Sequence, residues 1–428
     1  MDLFQCATEA KKMSVFLASA KTEQKNLALG LIADYLKNNI DEIVRANEED
    51  IRKSKEENLP EPLVKRLKFD RKKILDTVEG INSLIKLPDP VGKKLLATQL
   101  DEDLVLYRIS CPIGVIGIIF ESRPDALVQI STLCLKSGNA VLLKGGREAA
   151  NTNRILTELI RKATMEAGIH QGWIHLLETR EDVSRMLKLD KYIDLIIPRG
   201  SNEFVRYIIE NSRIPVLGHA DGICHCYVDS EADIQMAVDI VNDSKTQYVA
   251  VCNATETLLV HSEIAGQFLP LLKKKLDESN VELRGCERTR KIIDVVPASE
   301  DDWKTEYLDY ILSVKIVDSV DEAIEHINTY GSGHTDAIIT KNRQNAEKFM
   351  DLVDSGNVFW NCSTRFSDGF RYGFGAEVGI STNKIHARGP VGLDGLTIYK
   401  YKLFGKGHIV ADYAEHRRSF RHIPLPLE

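Results

Sequence analysis

The chain lacks several features that would place it in a specialised class. It has no apolar run of about 18 residues, so no segment is expected to span a bilayer. Its start lacks the basic-then-apolar order of a secretory signal, which leaves the cytoplasm as the expected location. Eight cysteines in 428 residues are too few for a disulfide scaffold and suit a reducing compartment. No segment matches the P-loop pattern GxxxxGKS/T, which argues against P-loop phosphotransfer.

Charge and length bound the function further. The formal net charge is −7, so the chain has no overall positive field to attract nucleic acid or an anionic membrane. A local basic pocket remains compatible with that charge. At about 150 residues per domain the length predicts two or three domains, with enough apolar sequence for a sizeable core.

The order of apolar patterns predicts an α/β fold. Residues 1–90 read as amphipathic helices, with one long helical pattern through 22–56 and another from Asp70 to Ile85. Short buried runs then alternate with helical patterns, beginning at Val115–Phe120 and Ala140–Leu143. This alternation predicts doubly wound parallel sheets, whose ligands bind beyond the carboxyl ends of the strands. A second α/β unit is expected after a main domain edge at 246–252.

Two small turns are candidates for binding phosphate. No GxGxxG motif links a strand to a helix, and the near-match at 373–379 has the wrong spacing and follows no buried strand. Lys144-Gly145-Gly146-Arg147 follows a predicted strand and opens a helix, where backbone N–H groups and two cations are available. Pro198–Asn202 offers a similar turn, although Ser201 is equally explained as a helix N-cap.

The cysteines differ in what their positions suggest. Cys224-His225-Cys226 is a poor zinc site, because alternate strand residues face opposite ways and no further ligand pair completes it. Cys252 instead lies at the expected domain junction, where clefts form and a thiolate can be exposed. From position alone, a nucleophile and a buried structural thiol both remain open for Cys252.

Seven segments of the chain form a distinctive ordered set. They are Pro112–Ala126, Lys136–Ala150, Asp194–Glu203, Ile214–Cys226, Cys252–Val260, Ala323–Ile339 and Ser363–Leu396. Together they resemble the aldehyde dehydrogenase superfamily, and within it the glutamate-5-semialdehyde dehydrogenases. The resemblance runs from about residue 5 to residue 405.

The resemblance implies a fold and a reaction. The fold would be aldehyde dehydrogenase-like: two doubly wound parallel-sheet α/β domains plus a small β oligomerisation arm. The reaction would be the reduction of L-glutamyl 5-phosphate to L-glutamate 5-semialdehyde and phosphate, the second step of proline biosynthesis from glutamate. It would use NADPH and no metal, and Cys252 would form a thioester.

The resemblance also implies roles for individual residues. Cys252 is the implied nucleophile, and its backbone N–H with a side chain near Ser122 or Arg123 would hold the oxyanion. Arg365 and Asp368 are substrate candidates, and His386 and Arg388 are weaker ones. The implied cofactor residues are Lys144, Gly145, Gly146, Arg147, Gly200, Ser201 and Glu306, with Arg147 favouring a 2′-phosphate and hence NADP(H).

One departure from ordinary aldehyde dehydrogenases indicates the acyl acceptor. Those enzymes carry a Glu-Leu-Gly-Gly segment whose Glu activates water, whereas the corresponding segment here is Leu217-Gly218-His219-Ala220-Asp221. Without that base, water should attack the thioester slowly and phosphate should be the partner of the acyl group. His219 or Asp221 is a possible substitute base, with a structural turn as the alternative.

The resemblance further predicts domains and partners. The cofactor domain would comprise 1–92 and 111–248, the catalytic domain 249–396, and the oligomerisation arm 93–110 and 397–428. The arm implies a homodimer or a dimer of dimers, because exposed strand edges need a partner. The labile substrate makes a transient complex with glutamate 5-kinase plausible. Two other functions remain open: a hydrolytic or CoA-acylating aldehyde dehydrogenase, and an inactive binding protein with this fold.

Overall fold

The computed structural model describes residues 2–178 and 182–427. Two compact units emerge from the chain. Unit 1 comprises Met1–Leu217, Phe374–Val378 and Val391–Glu428, and unit 2 comprises Gly218–Gly373 and Gly379–Pro390.

The helices and strands alternate along most of the chain. The helices are α1 (Leu3–Leu17), α2 (Thr22–Asn38), α3 (Ile40–Glu56), α4 (Glu61–Leu67), α5 (Arg71–Lys86), α6 (Pro124–Lys136), α7 (Ala150–Glu166), α8 (Asp182–Met186), α9 (Asn202–Asn211), α10 (Ile234–Thr246), α11 (Ser262–Asp277), α12 (Glu287–Arg290), α13 (Val320–Tyr330), α14 (Arg343–Leu352) and α15 (Val410–Ala414). The strands are β1 (Lys94–Asp101), β2 (Leu104–Pro112), β3 (Val115–Phe120), β4 (Ala140–Gly145), β5 (Ile174–Leu177), β6 (Leu195–Arg199), β7 (Cys224–Val228), β8 (Thr255–His261), β9 (Glu282–Gly285), β10 (Val296–Pro297), β11 (Ile311–Val317), β12 (Thr335–Ile339), β13 (Asn357–Trp360), β14 (Gly379–Ser381), β15 (Gly389–Val391), β16 (Thr397–Phe404) and β17 (Ile423–Pro424).

Unit 1 is built on a parallel sheet of order β5-β4-β3-β6. Every residue of β3 and β4 is buried, which is why their sequences read as continuous apolar runs rather than alternating ones. Helices from the N-terminal region pack with α6 and α7. The buried Lys25 ammonium pairs with Asp89 at 2.6 Å and ties α2 to the segment after α5.

The N-terminal helices depart from the predicted pattern at one point. The single helix expected through 22–56 is two helices, α2 and α3, which meet at Asn39. Asn39 has φ −114° and ψ 22°, outside the helical region, so α2 ends there and α3 begins. By contrast, the second predicted helix is confirmed as α5, and the Asp70 side chain caps it by accepting from the Lys73 N–H at 3.0 Å.

Unit 2 contains a seven-stranded parallel sheet of order β10-β9-β11-β8-β7-β12-β13. Helices α10 and α11 bury apolar residues against its central strands. Strand β7 pairs with β8 and β12, so the chain passes into unit 2 at Gly218 rather than at the edge expected in 246–252. Strand β7 is short and fully buried, so its sequence does not indicate which of the two sheets it joins. The predicted domain boundary at 246–252 therefore differs from the one in the structure.

A third sheet joins the two segments predicted as an arm. Its order is β16-β2-β1-β17, and all its pairs are antiparallel. The ribbon β1–β2 and the tail strand β16 therefore belong to one sheet of unit 1. Seven of the eight residues of β16 are exposed.

Among the residues that the structure describes, we find no helix with both the length and the apolar character needed to cross a membrane.

Candidate active site

Cys252 lies in the turn between α10 and β8, and its side chain is half-buried. The neighbouring Gly222 is packed directly against it, because a Cβ added at Gly222 would lie 2.6 Å from the Cys252 Cβ and 2.1 Å from its carbonyl oxygen. The Cys252 N–H makes no hydrogen bond within residues 2–178 and 182–427. This turn therefore presents a thiol beside an unengaged backbone donor.

Two imidazoles lie next to this thiol. His219, Cys252 and His334 each offer one atom that can bind a metal ion, and these three atoms all lie within 4.8 Å of one another. The two rings make an edge-to-face contact with centroids 4.7 Å apart. His334 is fully buried, whereas His219 and Cys252 are partly accessible. Sequence reasoning considered His219 but missed His334.

These residues come together at the amino ends of the strands in unit 2. His219 and Gly222 precede β7, Cys252 precedes β8, and His334 precedes β12, and these three strands are parallel neighbours. Parallel strands begin at the same edge of a sheet, so the segments before them converge. The predicted position of Cys252, just before the strand that opens the second unit, is confirmed. The expectation that ligands bind beyond the carboxyl ends of strands describes the candidate phosphate turns of unit 1 and not this thiol. A search of the other segments that precede strands would have found His334.

Arg365 and Asp368 belong to the surroundings of Cys252. Arg365 is buried, and its Nε donates to Gln247 Oε1 at 3.0 Å. Burial and then the neighbouring Arg371 lower the pKa of Arg365, while the interactions with Cys252, Asp243 and Asp368 act in the opposite direction. Cys252 and Asp368 therefore both lie close enough to Arg365 to affect its pKa, so the predicted nucleophile and both predicted substrate residues lie near one another.

A buried ion pair supports the strand that follows Cys252. Lys245 Nζ lies 2.5 Å from Glu256 Oε2, and both side chains are completely buried. Burial raises the pKa of Glu256 to about 7 and lowers that of Lys245. Glu256 also accepts from the Leu308 N–H at 3.3 Å and is influenced by the charge of Glu306. The predicted nicotinamide-ribose residue, Glu306, therefore lies in the loop that this pair anchors.

In unit 1, the turn after β4 lines a cavity. Lys144 is buried, its Nζ donates to the Gly145 carbonyl at 2.6 Å, and burial lowers its pKa. Arg147 is exposed, and its side chain has no partner among the described residues. Gly145, Gly146 and Arg147 contribute to the wall of a cavity of about 330 Å³. This cavity supplies glycine backbone and a free cation at the carboxyl end of a parallel strand, which suits a phosphate-bearing nucleotide.

The second candidate turn begins α9. The Ser201 hydroxyl accepts from the Phe204 N–H at 3.4 Å, so the N-cap role is confirmed. The Ser201 N–H donates to Glu121 Oε2 at 3.2 Å. A Cβ at Gly200 would lie 2.6 Å from that same carboxylate oxygen. A side chain at Gly200 would therefore displace the Glu121 carboxylate that accepts from the Ser201 N–H.

The predicted oxyanion side chain is engaged within unit 1. Ser122 is buried with φ 45°, a strained value for a residue with a Cβ. Its N–H and its hydroxyl both donate to Glu148 Oε1, at 2.6 and 3.0 Å. A Cβ at Gly146 would lie 2.0 Å from the same oxygen. Glu148, which sequence reasoning missed, therefore joins the loops after β3 and β4. Arg123 follows as the N-cap of α6.

The weaker candidates have structural surroundings of their own. Arg388 NH1 lies 3.0 Å from Asp354 Oδ1, and the same guanidinium donates to the Asp354 and Thr382 carbonyls. His386 is exposed. The near-match at 373–379 contains no helix and does not follow a strand directly.

Comparison with known proteins identifies the family. Residues 2–290 and 284–376 match the aldehyde dehydrogenase family. The chain is 71% identical over 422 residues to the gamma-glutamyl phosphate reductase of Acetivibrio thermocellus, covering 99% of this chain and 98% of the relative. It is 69% identical to that of Pelotomaculum thermopropionicum, covering 99% and 97%. The crystal structure of gamma-glutamyl phosphate reductase from Thermotoga maritima superposes with a TM-score of 0.93 at 44% identity, covering 96% of this chain and all of that one. The chain therefore belongs to the aldehyde dehydrogenase family of oxidoreductases.

Proposed function

We propose that this enzyme reduces L-glutamyl 5-phosphate to L-glutamate 5-semialdehyde and phosphate with NADPH, using Cys252 as the nucleophile. The observation that carries the proposal is 71% identity along 99% of the chain to a relative named for that reductase activity. The half-buried thiol beside two imidazoles and Arg365 supports the choice of Cys252 among the eight cysteines. Proline biosynthesis is the pathway that such a reaction serves.

In the proposed first step, the Cys252 thiolate attacks the acyl carbon of the substrate. An S–C bond forms, the bond from the acyl carbon to the phosphate oxygen breaks, and phosphate leaves with its electron pair. The thiol proton passes to solvent or to an adjacent base. The Cys252 N–H is positioned on the nucleophile's own residue and would donate to the developing oxyanion. Ser122 would be a second donor only after it releases Glu148.

In the second step the thioester on Cys252 is reduced. NADPH, when bound, would supply the hydride to the acyl carbon and so be converted to NADP⁺. The S–C bond then breaks, the thiolate of Cys252 re-forms, and the aldehyde is released. Arg365 would hold an anionic part of the substrate, since it is buried and has only one side-chain hydrogen bond among the described residues. Asp368 would face the substrate amino group.

The residues of unit 1 fit the proposed cofactor. The family uses nicotinamide dinucleotides, and the cavity behind Gly145 and Gly146 has room for a nucleotide end. Lys144 would contact the adenosine ribose, Arg147 would bind a 2′-phosphate, and the Gly200–Ser201 turn would accept the pyrophosphate. In unit 2, Glu306 would bind the nicotinamide ribose.

The test is the reverse reaction, measured as NADP⁺ reduction in the presence of glutamate 5-semialdehyde. We expect a rate that depends on inorganic phosphate and disappears in Cys252→Ala. The matched control is Cys286→Ala, which removes another partly buried thiol and should retain the rate. Turnover of simple aldehydes without phosphate would favour the hydrolytic alternative. Phosphate-dependent turnover by Cys252→Ala would overturn the thioester mechanism.

Two partner predictions accompany this function. We propose that β16 mediates formation of a homodimer through its exposed edge. A transient complex with glutamate 5-kinase stays a prediction from the lability of the acyl phosphate.

A further inference from the structure

The cluster of His219, Cys252 and His334 has a property that acyl transfer does not require. A thiol and two imidazoles within 4.8 Å form a set of nitrogen and sulfur ligands. Such sets bind borderline-soft divalent cations, Zn²⁺ above all, usually in tetrahedral geometry. The three residues lie on three different segments of unit 2, each within five residues of the start of a strand of one parallel sheet. Their backbone positions are therefore fixed by that sheet.

A hydrogen bond from the His219 ring orients it as a metal ligand. Its Nδ1 lies 2.7 Å from the Ile380 carbonyl oxygen, which only accepts hydrogen bonds. Nδ1 therefore carries the proton, and the lone pair of the neutral ring lies on Nε2. Metal-binding histidines are held in this way, with one ring nitrogen donating to a carbonyl while the other binds the ion.

His334 supplies an independent observation. Its Nδ1 is engaged by Thr335 Oγ1 at 2.8 Å and approached by Cys224 Sγ at 3.7 Å. Its Nε2 is buried and has no hydrogen-bond partner among the described residues. An unsatisfied polar atom in a fully buried side chain costs about 1–3 kcal/mol. The edge contact between the two rings explains their packing, but it leaves this nitrogen unsatisfied.

We propose that Cys252, His219 and His334 form a zinc-binding site, with Zn²⁺ as a reversible inhibitor rather than a cofactor. On binding, the S–H bond of Cys252 is replaced by an S–Zn bond and the proton passes to the buffer. Zinc keeps its oxidation state, and water fills the fourth position. The charge of Arg365 opposes the ion, whereas the thiolate charge and two neutral imidazoles favour it. Only the inhibition, and not the binding, rests on the proposed function.

The binding test uses Co²⁺ alone as a spectroscopic substitute for Zn²⁺. We expect the wild-type chain to bind one equivalent, with a thiolate-to-cobalt charge-transfer band and the visible bands of tetrahedral cobalt, both displaced by Zn²⁺. Cys252→Ser should lose the charge-transfer band, and His334→Gln should weaken binding by on the order of tenfold or more. Cys286→Ser and the exposed His416→Gln are matched controls and should bind as the wild type does.

The outcomes separate the site from the catalytic proposal. A charge-transfer band that persists in Cys252→Ser, or its absence from folded wild-type protein, overturns the site. Unchanged affinity in His334→Gln, with circular dichroism showing a folded chain, overturns the ligand set. If Zn²⁺ binds but leaves phosphate-dependent NADP⁺ reduction unchanged, the site stands and Cys252 is not the nucleophile. Inhibition by Zn²⁺ that a chelator reverses supports both.

Discussion

At the scale of a single residue, Gly222 controls the position of the Cys252 thiol. A Cβ there would meet the Cα of Cys252 at 2.5 Å, its Cβ at 2.6 Å and its carbonyl oxygen at 2.1 Å. Real Cβ atoms do not approach backbone atoms this closely, so Gly222→Ala must displace the turn that carries Cys252. Displacement of a reacting atom by about 1 Å costs on the order of 100-fold in rate. We expect kcat to fall by about that factor in Gly222→Ala.

The control for this prediction is Gly266→Ala in helix α11. A Cβ at Gly266 meets nothing within 4 Å, and alanine favours a helix interior over glycine by about 0.5–1 kcal/mol. This variant should keep its activity and unfold at slightly higher temperature. Steady-state kinetics measure kcat of both variants, and thermal unfolding measures their stability. Full kcat in Gly222→Ala would show that the position of Cys252 does not limit the reaction.

Arg147 carries the predicted preference for NADPH over NADH. It is exposed at the cavity after β4 and has no ion-pair partner among residues 2–178 and 182–427. A charge-assisted hydrogen bond contributes about 1.5–3 kcal/mol, which corresponds to tenfold or more in affinity. Arg147→Gln should raise KM for NADPH about tenfold and leave KM for NADH within about twofold.

Arg52 provides the matched control for Arg147. It is an exposed arginine of α3 and pairs with Glu49 and Glu56, so Arg52→Gln should change neither KM. The measurement is initial rates with each nucleotide at saturating substrate. An equal loss with NADPH and NADH in Arg147→Gln would mean that Arg147 does not read the 2′-phosphate.

At the scale of an element, helix α13 carries a pH-sensitive contribution to stability. Burial, followed by the charges of His225 and Lys315, lowers the pKa of His326 to about 3. The unfolded pKa is about 6.5, so between these values the unfolded chain binds more protons than the folded chain. The free energy of unfolding therefore falls as pH drops through that window. From pH 7 to pH 5 the expected loss from this group is about 2 kcal/mol.

His326→Phe tests this contribution. Phenylalanine retains an aromatic ring beside Trp303 and Tyr330 but cannot titrate. The urea midpoint of the variant should therefore fall less between pH 7 and pH 5 than that of the wild type. Exposed His416→Phe is the control and should follow the wild type. Equal pH slopes in His326→Phe and the wild type would show that His326 is not held neutral in the folded state.

For single helices and strands, the sequence predicts well which elements are buried, but it predicts poorly which elements they pair with. The apolar runs that form β3 and β4 were recognisable because both faces of each strand are buried. The helix from Asp70 to Ile85, confirmed as α5, was recognisable because its apolar period is a local pattern. The break at Asn39 was not, since the apolar spacing continues through it while the backbone leaves the helix. The assignment of β7 to the second sheet was not either, since strand pairing depends on contacts distant in sequence.

The same distinction holds for the candidate site. Cys252 was chosen from its position before a strand and from the family resemblance, and its catalytic role stays a prediction. His334 and Glu148 meet their partners only through the order of strands in each sheet, which no local pattern encodes. The engagement of Ser122 by Glu148 likewise required the positions of two loops. The chemical character of single residues can therefore be predicted from the sequence, whereas the contacts between residues distant in sequence cannot.

At the scale of the whole molecule, the exposed tail strand is the feature that one chain leaves unexplained. Strand β16 pairs with β2 on one side and has no other strand beside it among the described residues. Its exposed side chains include Tyr399, Tyr401 and Leu403 on one face, and the two tyrosine rings contact each other at 5.8 Å. An edge strand of eight residues with an exposed apolar face invites pairing and is an aggregation hazard unless it is covered.

A second copy of the chain is the occupant that best fits this edge. Identical edge strands can pair antiparallel about a two-fold axis, so one interface serves both protomers. We expect sedimentation velocity to give a dimer or a dimer of dimers. The double variant Tyr401→Asp with Leu403→Asp should sediment as a monomer, because its charges would be buried without partners. Val15→Asp, at an exposed apolar residue of α1, should sediment as the wild type does. A monomeric wild type, or a variant that still dimerises, would remove β16 from the interface and leave its apolar face to a different protein.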